Sequence, residues 1–471
     1  MEMMRISVVR SLVLILALTL LAGCERLNTD NINLVFVVSP DLAYDPLGDI
    51  NATTGNLNNR GLQRSLLMGT YLKEQILGTN NVTSISVLAP MTHLQTVNNY
   101  PDMAAIGFIQ QFALLNQFTL LGTTGNSYPL NAAYAYGSVP AGVVEPNPYT
   151  PACQGLDFDD ASGNNITLVT GIIRANVPGF YVFSAPWETT SALLENIKRA
   201  TGYDLDVPTT YKGPNHVYVI SIEPRGDARL LTFDSALTPP DTYPVLPSPV
   251  ASSLCTQQTP FSHSRTGGVN GVVVPGNSNT NETVYLIRHA EAHPASDWDD
   301  GNYVGAGQWR ALALPDALQG VISPDQVYSI DPAQSFSYGG FSVSYVRPSL
   351  TVLPYAITNN LPYYLVAGFF IGVDASDTGI AQTTSDFLFT GGKFTNKTIL
   401  LAWEHEHFPP LITALLESYH GSVPAPTLAW PQTDYDTIWT VTLDALGNVT
   451  VDNALCEGIE SSSLPATAPQ F

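Results

Sequence analysis

Runs of consecutive apolar residues, each followed by a segment with apolar positions at helical spacing, set the rhythm of this chain. A continuous apolar run predicts a strand buried on both faces, and a helix after each such strand predicts α/β architecture with a largely parallel sheet. The pattern is written twice. Gly179-FYVFSAPWETTSALLENIKRATG, closing at Gly202, aligns without a gap on Thr398-ILLAWEHEHFPPLITALLESYHG, closing at Gly421. Each reads as a buried strand, a turn and an amphipathic helix stopped by glycine. After each comes a predicted hairpin turning at a glycine, Asn215-HVYVISIEPRGDARLLTF and Asp436-TIWTVTLDALGNVTV.

The openings repeat as well. Asn33-LVFVVSPD and Thr283-VYLIRHAE are apolar strands ending in polar loops, and Gly61-LQRSLLMGTYL and Gly307-QWRALALPDAL are Gly-x-x-Arg helix starts. Second strands end at Ala89-Pro90 and Asp331-Pro332. Residues 236–281, rich in Pro, Ser, Thr, Gly and Asn with no periodicity, read as a linker. Blocks that match in the same order predict a tandem duplication.

Composition then places the chain. At 471 residues and 45% hydrophobic it can bury two cores, and 36 Gly and 35 Pro make it loop-rich. Arg5 and Arg10 precede an apolar stretch, Ser11 to Leu21, that is short for a bilayer span. The stretch ends in Leu21-Ala22-Gly23-Cys24, which resembles a bacterial lipobox. That resemblance implies removal of residues 1–23 as a signal peptide and a lipid on the Cys24 thiol. The protein is therefore expected in the bacterial cell envelope, anchored to the membrane and facing outside the cytoplasm. A formal net charge of −22 repels nucleic acid. Of Cys153, Cys255 and Cys456 one pair can form a disulfide outside the cytoplasm, and the spacing leaves open which. The cysteine spacing suggests no metal site, and no cofactor is expected.

Against this acidic background the second half gathers cations. Arg288-His289 ends one predicted strand, Arg347 with Thr351 opens a helix, and His405 follows another buried strand. A parallel sheet collects such strand ends on one edge. Histidine can carry a covalent phosphoryl group, and arginine forks bind phosphate oxygens. The quartet therefore suits phosphoryl transfer through histidine.

With the R-H-x-E strand end, the G-x-x-R-A helix start at Gly307 to Ala311, the Arg347-x-x-x-Thr351 segment and His405 with Phe408-Pro409 close behind, residues 283–451 resemble the histidine phosphatase (phosphoglycerate mutase-like) superfamily. The resemblance implies two tandem three-layer α/β/α histidine-phosphatase-like domains. Residues 24–235 would be a degenerate copy, and residues 282–471 the copy with its site intact. It implies His289 as nucleophile, with Arg288, Arg347 and His405 clamping the phosphoryl oxygens of a small-molecule phosphate monoester. Two departures stand out. Ala290 replaces the family's glycine, which narrows the backbone at the phosphate, and His405-Glu406 stands where one branch has His-Asp. Glu406 is thus a candidate proton donor, with Asp374, Asp377 and Asp386 as alternatives. His293 and His407 read as peripheral or solvent-facing imidazoles.

In the first half Ser39-Pro40 stand where Arg288-His289 stand, Ala104 where Arg347 stands and Pro186 where His405 stands. The expected activity is an extracytoplasmic phosphatase. The alternative is a phospho-ligand-binding or scaffolding lipoprotein without turnover. No G-x-x-x-x-G-K-[ST] stretch occurs, which disfavours a P-loop enzyme.

Overall fold

The computed structural model describes residues 27–90, 94–95, 100–116, 118–121, 127–130, 134–135, 164–247, 250, 258–292, 301–338, 341–366, 377–422, 424 and 426–471. Residues 1–23, Cys24, Cys153, Cys255, His293 and Asp374 lie outside them. Among the described residues no helix is long and apolar enough to cross a membrane.

The first half runs β1 (Ile32–Val38), α1 (Asn59–Tyr71), β2 (Ser84–Val87), α2 (Ala104–Leu115), β3 (Tyr134–Ala135), α3 (Asn164–Ala175), β4 (Gly179–Ala185), α4 (Trp187–Thr201), β5 (His216–Ile222) and β6 (Ala228–Asp234). The second runs β7 (Ser262–Arg265), β8 (Glu282–Arg288), α5 (Gly305–Ala317), β9 (Gln326–Ile330), α6 (Arg347–Thr358), β10 (Tyr363–Val366), α7 (Thr378–Phe389), β11 (Thr398–Trp403), α8 (Phe408–Ser418), β12 (Thr437–Leu443) and β13 (Val449–Cys456).

One sheet has the order β6-β5-β1-β4-β2-β3, the other β7-β13-β12-β8-β11-β9-β10. Apart from β7 the two orders coincide strand for strand. In each, a parallel set (β1, β4, β2, β3; β8, β11, β9, β10) is flanked on one edge by an antiparallel hairpin. The parallel strands are the continuous apolar runs: every residue of β1 is buried, and β4 and β11 expose only their first residue in part. No residue of the edge strand β6 is fully buried; they range from partly buried to exposed. The hairpins turn at Gly226 and Gly447, both at positive φ, and Gly202 caps α4 in the left-handed region.

The stretch 236–281 is not free chain where it is described. Ser262–Arg265 adds β7 to the edge of the second sheet, against β13, and the Tyr243 hydroxyl donates to the Leu312 carbonyl on α5. Short polar strands such as this one carry too few apolar residues to reveal a period, and the sheet edge supplies their pairing.

One continuous apolar core joins the halves. It runs from β1 and β4 through α1 and α2 to α5 and α6, with Leu66, Phe108 and Phe112 on one side and Leu312, Leu350 and Leu353 on the other. Gly107 on α2 permits close packing there: a Cβ on it would lie 3.2 Å from the Leu353 side chain. A second core belongs to the second half, built on Trp403, Trp430 and Trp439. Cys456 is disulfide-bonded, with its partner outside the described residues.

Candidate active site

Neighbouring parallel strands bring the chemistry to one edge. β8 ends on Arg288, which pairs in register with Trp403 at the end of β11, so His289 and the turn Glu404 to His407 leave the sheet side by side. The His289 N–H extends the ladder by donating to the Trp403 carbonyl at 3.1 Å. α6 begins on Arg347, and Thr351 one turn later explains that spacing. The Thr351 hydroxyl donates to the Arg347 carbonyl at 2.7 Å and accepts the Ala290 N–H at 2.8 Å, which ties the helix start to the loop after β8.

Arg288, His289, Arg347 and His405 are each at most 8% exposed. Two tyrosines hold the cations. The Arg288 guanidinium lies over the Tyr435 ring at 3.8 Å and that of Arg347 over Tyr345 at 4.6 Å, while the His289 ring meets both rings edge-on. Arg288 Nη1 also donates to the carbonyls of Gln432 and Asp434. Arg288 Nε and both ring nitrogens of His405 are buried without a hydrogen-bond partner among the described residues. The open Arg288 Nε–H and the one N–H of the His405 ring suit an anionic ligand.

His289 Nδ1 lies 2.8 Å from the Ala290 carbonyl, which keeps the proton on Nδ1 and leaves a lone pair on Nε2. Burial, then the Arg347 and Arg288 guanidiniums, hold the imidazole well below its ordinary pKa, against the Ala290 hydrogen bond. Burial, then Arg288 and His407, push His405 down to about 3. Both rings are therefore neutral at neutral pH, and the positive charge of the site resides on the arginines.

No known sequence family matches the chain, and no curated protein does. Among solved structures it resembles phosphoserine phosphatase from Entamoeba histolytica in complex with 3-phosphoglyceric acid, at 16% identity and a TM-score of 0.27, over 38% of this chain and 100% of that one. It also resembles phosphoglycerate mutase from Plasmodium falciparum, at 14% identity and 0.24, over 41% and 99%. A third is the putative phosphohistidine phosphatase SixA from Agrobacterium tumefaciens, at 16% identity and 0.19, over 34% and 91%. TM-scores this low carry no argument about this chain, so its reading rests on its own geometry.

The remaining candidates fall in different places. Glu406 is exposed at the rim, its carboxylate 4.0 Å from His405 Nε2. Asp377 caps α7, accepting from the Gly379 and Ile380 N–H groups, and Asp386 takes Gln382 on the same helix. His407 is not solvent-facing. It is buried, stacked on Trp403 at 4.4 Å, with Nε2 3.0 Å from a Glu404 oxygen, because the turn folds back over the end of β11. The Ala290 methyl is fully buried and belongs to the shared core.

Arg310 from the Gly-x-x-Arg start has no exposure and holds Glu291 by a two-oxygen fork, Glu457 at 2.5 Å and the Ile459 carbonyl. Gly307 is required beside it, since a Cβ there would lie 2.6 Å from Tyr303 Cβ and 2.7 Å from the Glu291 carbonyl. Arg64 repeats the arrangement in the first half, bonded to Asp49, Asn215 and the Leu237 carbonyl. This arginine is structural in both halves.

The first sheet's edge is filled differently. Ser39 N–H donates to the Ala185 carbonyl at 3.0 Å, the same bond that His289 makes, and Val38 pairs with Ala185 as Arg288 pairs with Trp403. The strand register therefore sets Val38-Ser39, not Ser39-Pro40, against Arg288-His289, and Trp187, not Pro186, against His405. The ungapped alignment is off by one because backbone ladders, not side chains, set the register. Trp187 stacks on Tyr211 and packs on Tyr218, and Tyr44 meets Tyr211, so aromatic rings occupy this edge. Ala104 opens α2 as Arg347 opens α6.

Sequence reasoning missed Tyr345, Tyr435 and the Gln432 carbonyl. Tyr345 and Tyr435 sit in loops without a motif, and their one signal is position: each lies two residues before an element that carries or flanks the site.

Proposed function

We propose that the chain hydrolyses phosphate monoesters through a phosphohistidine on His289, outside the cytoplasm of a bacterium, held to the envelope by a lipid on Cys24. We also read residues 24–235 and 282–471 as tandem three-layer α/β/α copies of histidine-phosphatase type, joined through 236–281, of which the second alone keeps its site. The observation that carries the activity is the neutral, tautomer-fixed His289 packed among two guanidiniums and His405.

In the first step the Nε2 lone pair forms an N–P bond as the ester P–O bond breaks. Arg288, Arg347 and His405 meet the charge on the transferred oxygens. The leaving oxygen takes a proton, with Glu406 as donor. Water then attacks phosphorus, the N–P bond breaks with its electrons returning to Nε2, and the water's proton goes to the same carboxylate.

The test is phosphate release from p-nitrophenyl phosphate by the chain lacking residues 1–23, with chelator present, from acidic to neutral pH. His289→Ala should abolish it, a loss of at least about 10³-fold, with circular dichroism unchanged. Glu406→Gln should slow an alkyl phosphate by about 10²-fold and p-nitrophenyl phosphate far less, because a good leaving group needs little protonation. Equal rates for a folded parent and His289→Ala would overturn the enzyme reading. Orthovanadate binding by that inactive parent would then favour a phosphate-binding lipoprotein, the reading that the open donors of Arg288 and His405 also suit.

A further inference from the structure

We propose that the first half is the mount on which the second half's Arg347 is seated, with Gln110 as a positioning residue. The proposal rests on reading Arg347 as a phosphate ligand.

Gln110 lies on α2, on the first half's side of the junction, and is buried. Its Nε2 donates to Asn302 Oδ1 at 2.9 Å, and its Oε1 accepts from Asn302 Nδ2 at 3.3 Å. Asn302 has no exposure, and its Oδ1 also accepts the Tyr303 N–H at 2.9 Å. One residue earlier, the Gly301 carbonyl accepts both the Val346 N–H at 2.9 Å and the Arg347 N–H at 3.1 Å. The N-cap residue Val346 makes no side-chain cap, so this carbonyl does the work of a cap for the helix that presents Arg347.

The loop sits flush against that start. Gly301 has φ +76°, and a Cβ on it would lie 2.0 Å from the Ser344 carbonyl and 3.3 Å from Tyr345 Cα. A chain of direct contacts thus runs from Gln110 through Asn302 and Gly301 to the backbone of Arg347. Beside it, Gln111 donates to the Pro469 carbonyl at 2.9 Å and accepts from Gln308 on α5 at 2.5 Å.

These amides stand among apolar residues of the junction such as Leu66, Phe108, Leu312 and Leu353. Apolar packing tolerates small slides, whereas a paired amide fixes one register. A phosphate fork needs that precision, since displacing a binding group by about 1 Å can cost about 10²-fold in rate.

The experiment replaces Gln110 in the chain lacking residues 1–23. Gln110→Leu keeps the volume and removes both amide bonds. Hydrogen–deuterium exchange should accelerate about 10-fold or more at the Val346 and Arg347 amides, while β8 and β11 stay protected. Orthovanadate affinity should fall about 10-fold. The length-exchanged pair Gln110→Asn with Asn302→Gln should restore both. Should Gln110→Leu fail to fold, Gln110→Asn alone is read in the same way. Unchanged exchange at 346–347 in a folded variant, or acceleration equal at all sites, overturns the proposal. Local acceleration in a protein whose parent binds no vanadate supports the mount and removes the phosphate reading of the site instead.

Discussion

Burial decides the chemistry of individual side chains in this protein. His289 and His405 stay neutral because their surroundings exclude water and already hold cations, Arg347 and Arg288 beside His289 and Arg288 beside His405. The same physics acts on Glu282, which has no exposure, accepts one hydrogen bond from Asn279 at 3.0 Å and is pushed up to about 8 by burial, against that bond. Between its ordinary value and about 8 the unfolded chain has lost this proton and the folded chain keeps it. Folded protein therefore binds more protons across that window, and stability falls as pH rises through it. Glu282→Gln removes the titration while keeping an acceptor for Asn279. Its melting temperature should exceed the parent's at pH 8, by about 1–3 °C, and differ less at pH 5. An equal difference at both pH values would show that Glu282 is not held protonated.

Arg310 shows what holds the elements around the site. It joins α5 to the loop after β8 through Glu291 and to the chain after β13 through Glu457 and the Ile459 carbonyl. Arg310→Leu would leave two buried carboxylates without their cation, and breaking a buried pair in this way costs about 3–5 kcal/mol. Urea unfolding should report that loss, and Glu457→Gln added to it should recover part. A loss below about 1 kcal/mol would mean that the carboxylates find other partners. The Gly-x-x-Arg signal was legible because glycine and arginine are both forced: one by a close approach to Tyr303 and Glu291, the other by buried charge. The role of the arginine was not legible, since a catalytic and a structural arginine have the same letter. Its repetition at Arg64, on an edge without the quartet, separates them.

On the scale of the whole molecule, a continuous core through α1, α2, α5 and α6 couples the halves. Calorimetry of the chain lacking residues 1–23 should show one cooperative transition, with calorimetric and van't Hoff enthalpies equal. Two resolved transitions would mean that the junction is too weak to couple them. The sequence by itself determined the buried strands, the hairpins, the repeated order of blocks and the placing of Arg288, His289, Arg347 and His405 at or just past strand and helix ends. Each of these follows from local apolar period or from residue types at strand and helix ends. Only the tertiary structure decided the one-residue register at Ser39 and Trp187, the tyrosine walls from Tyr345 and Tyr435, the strand hidden in 262–265, the burial of His407 and the Gln110–Asn302 bridge. Apart from the local contacts of His407 and Tyr345, those features depend on which distant segments meet, and a contact between residues far apart in the chain leaves no period in either segment.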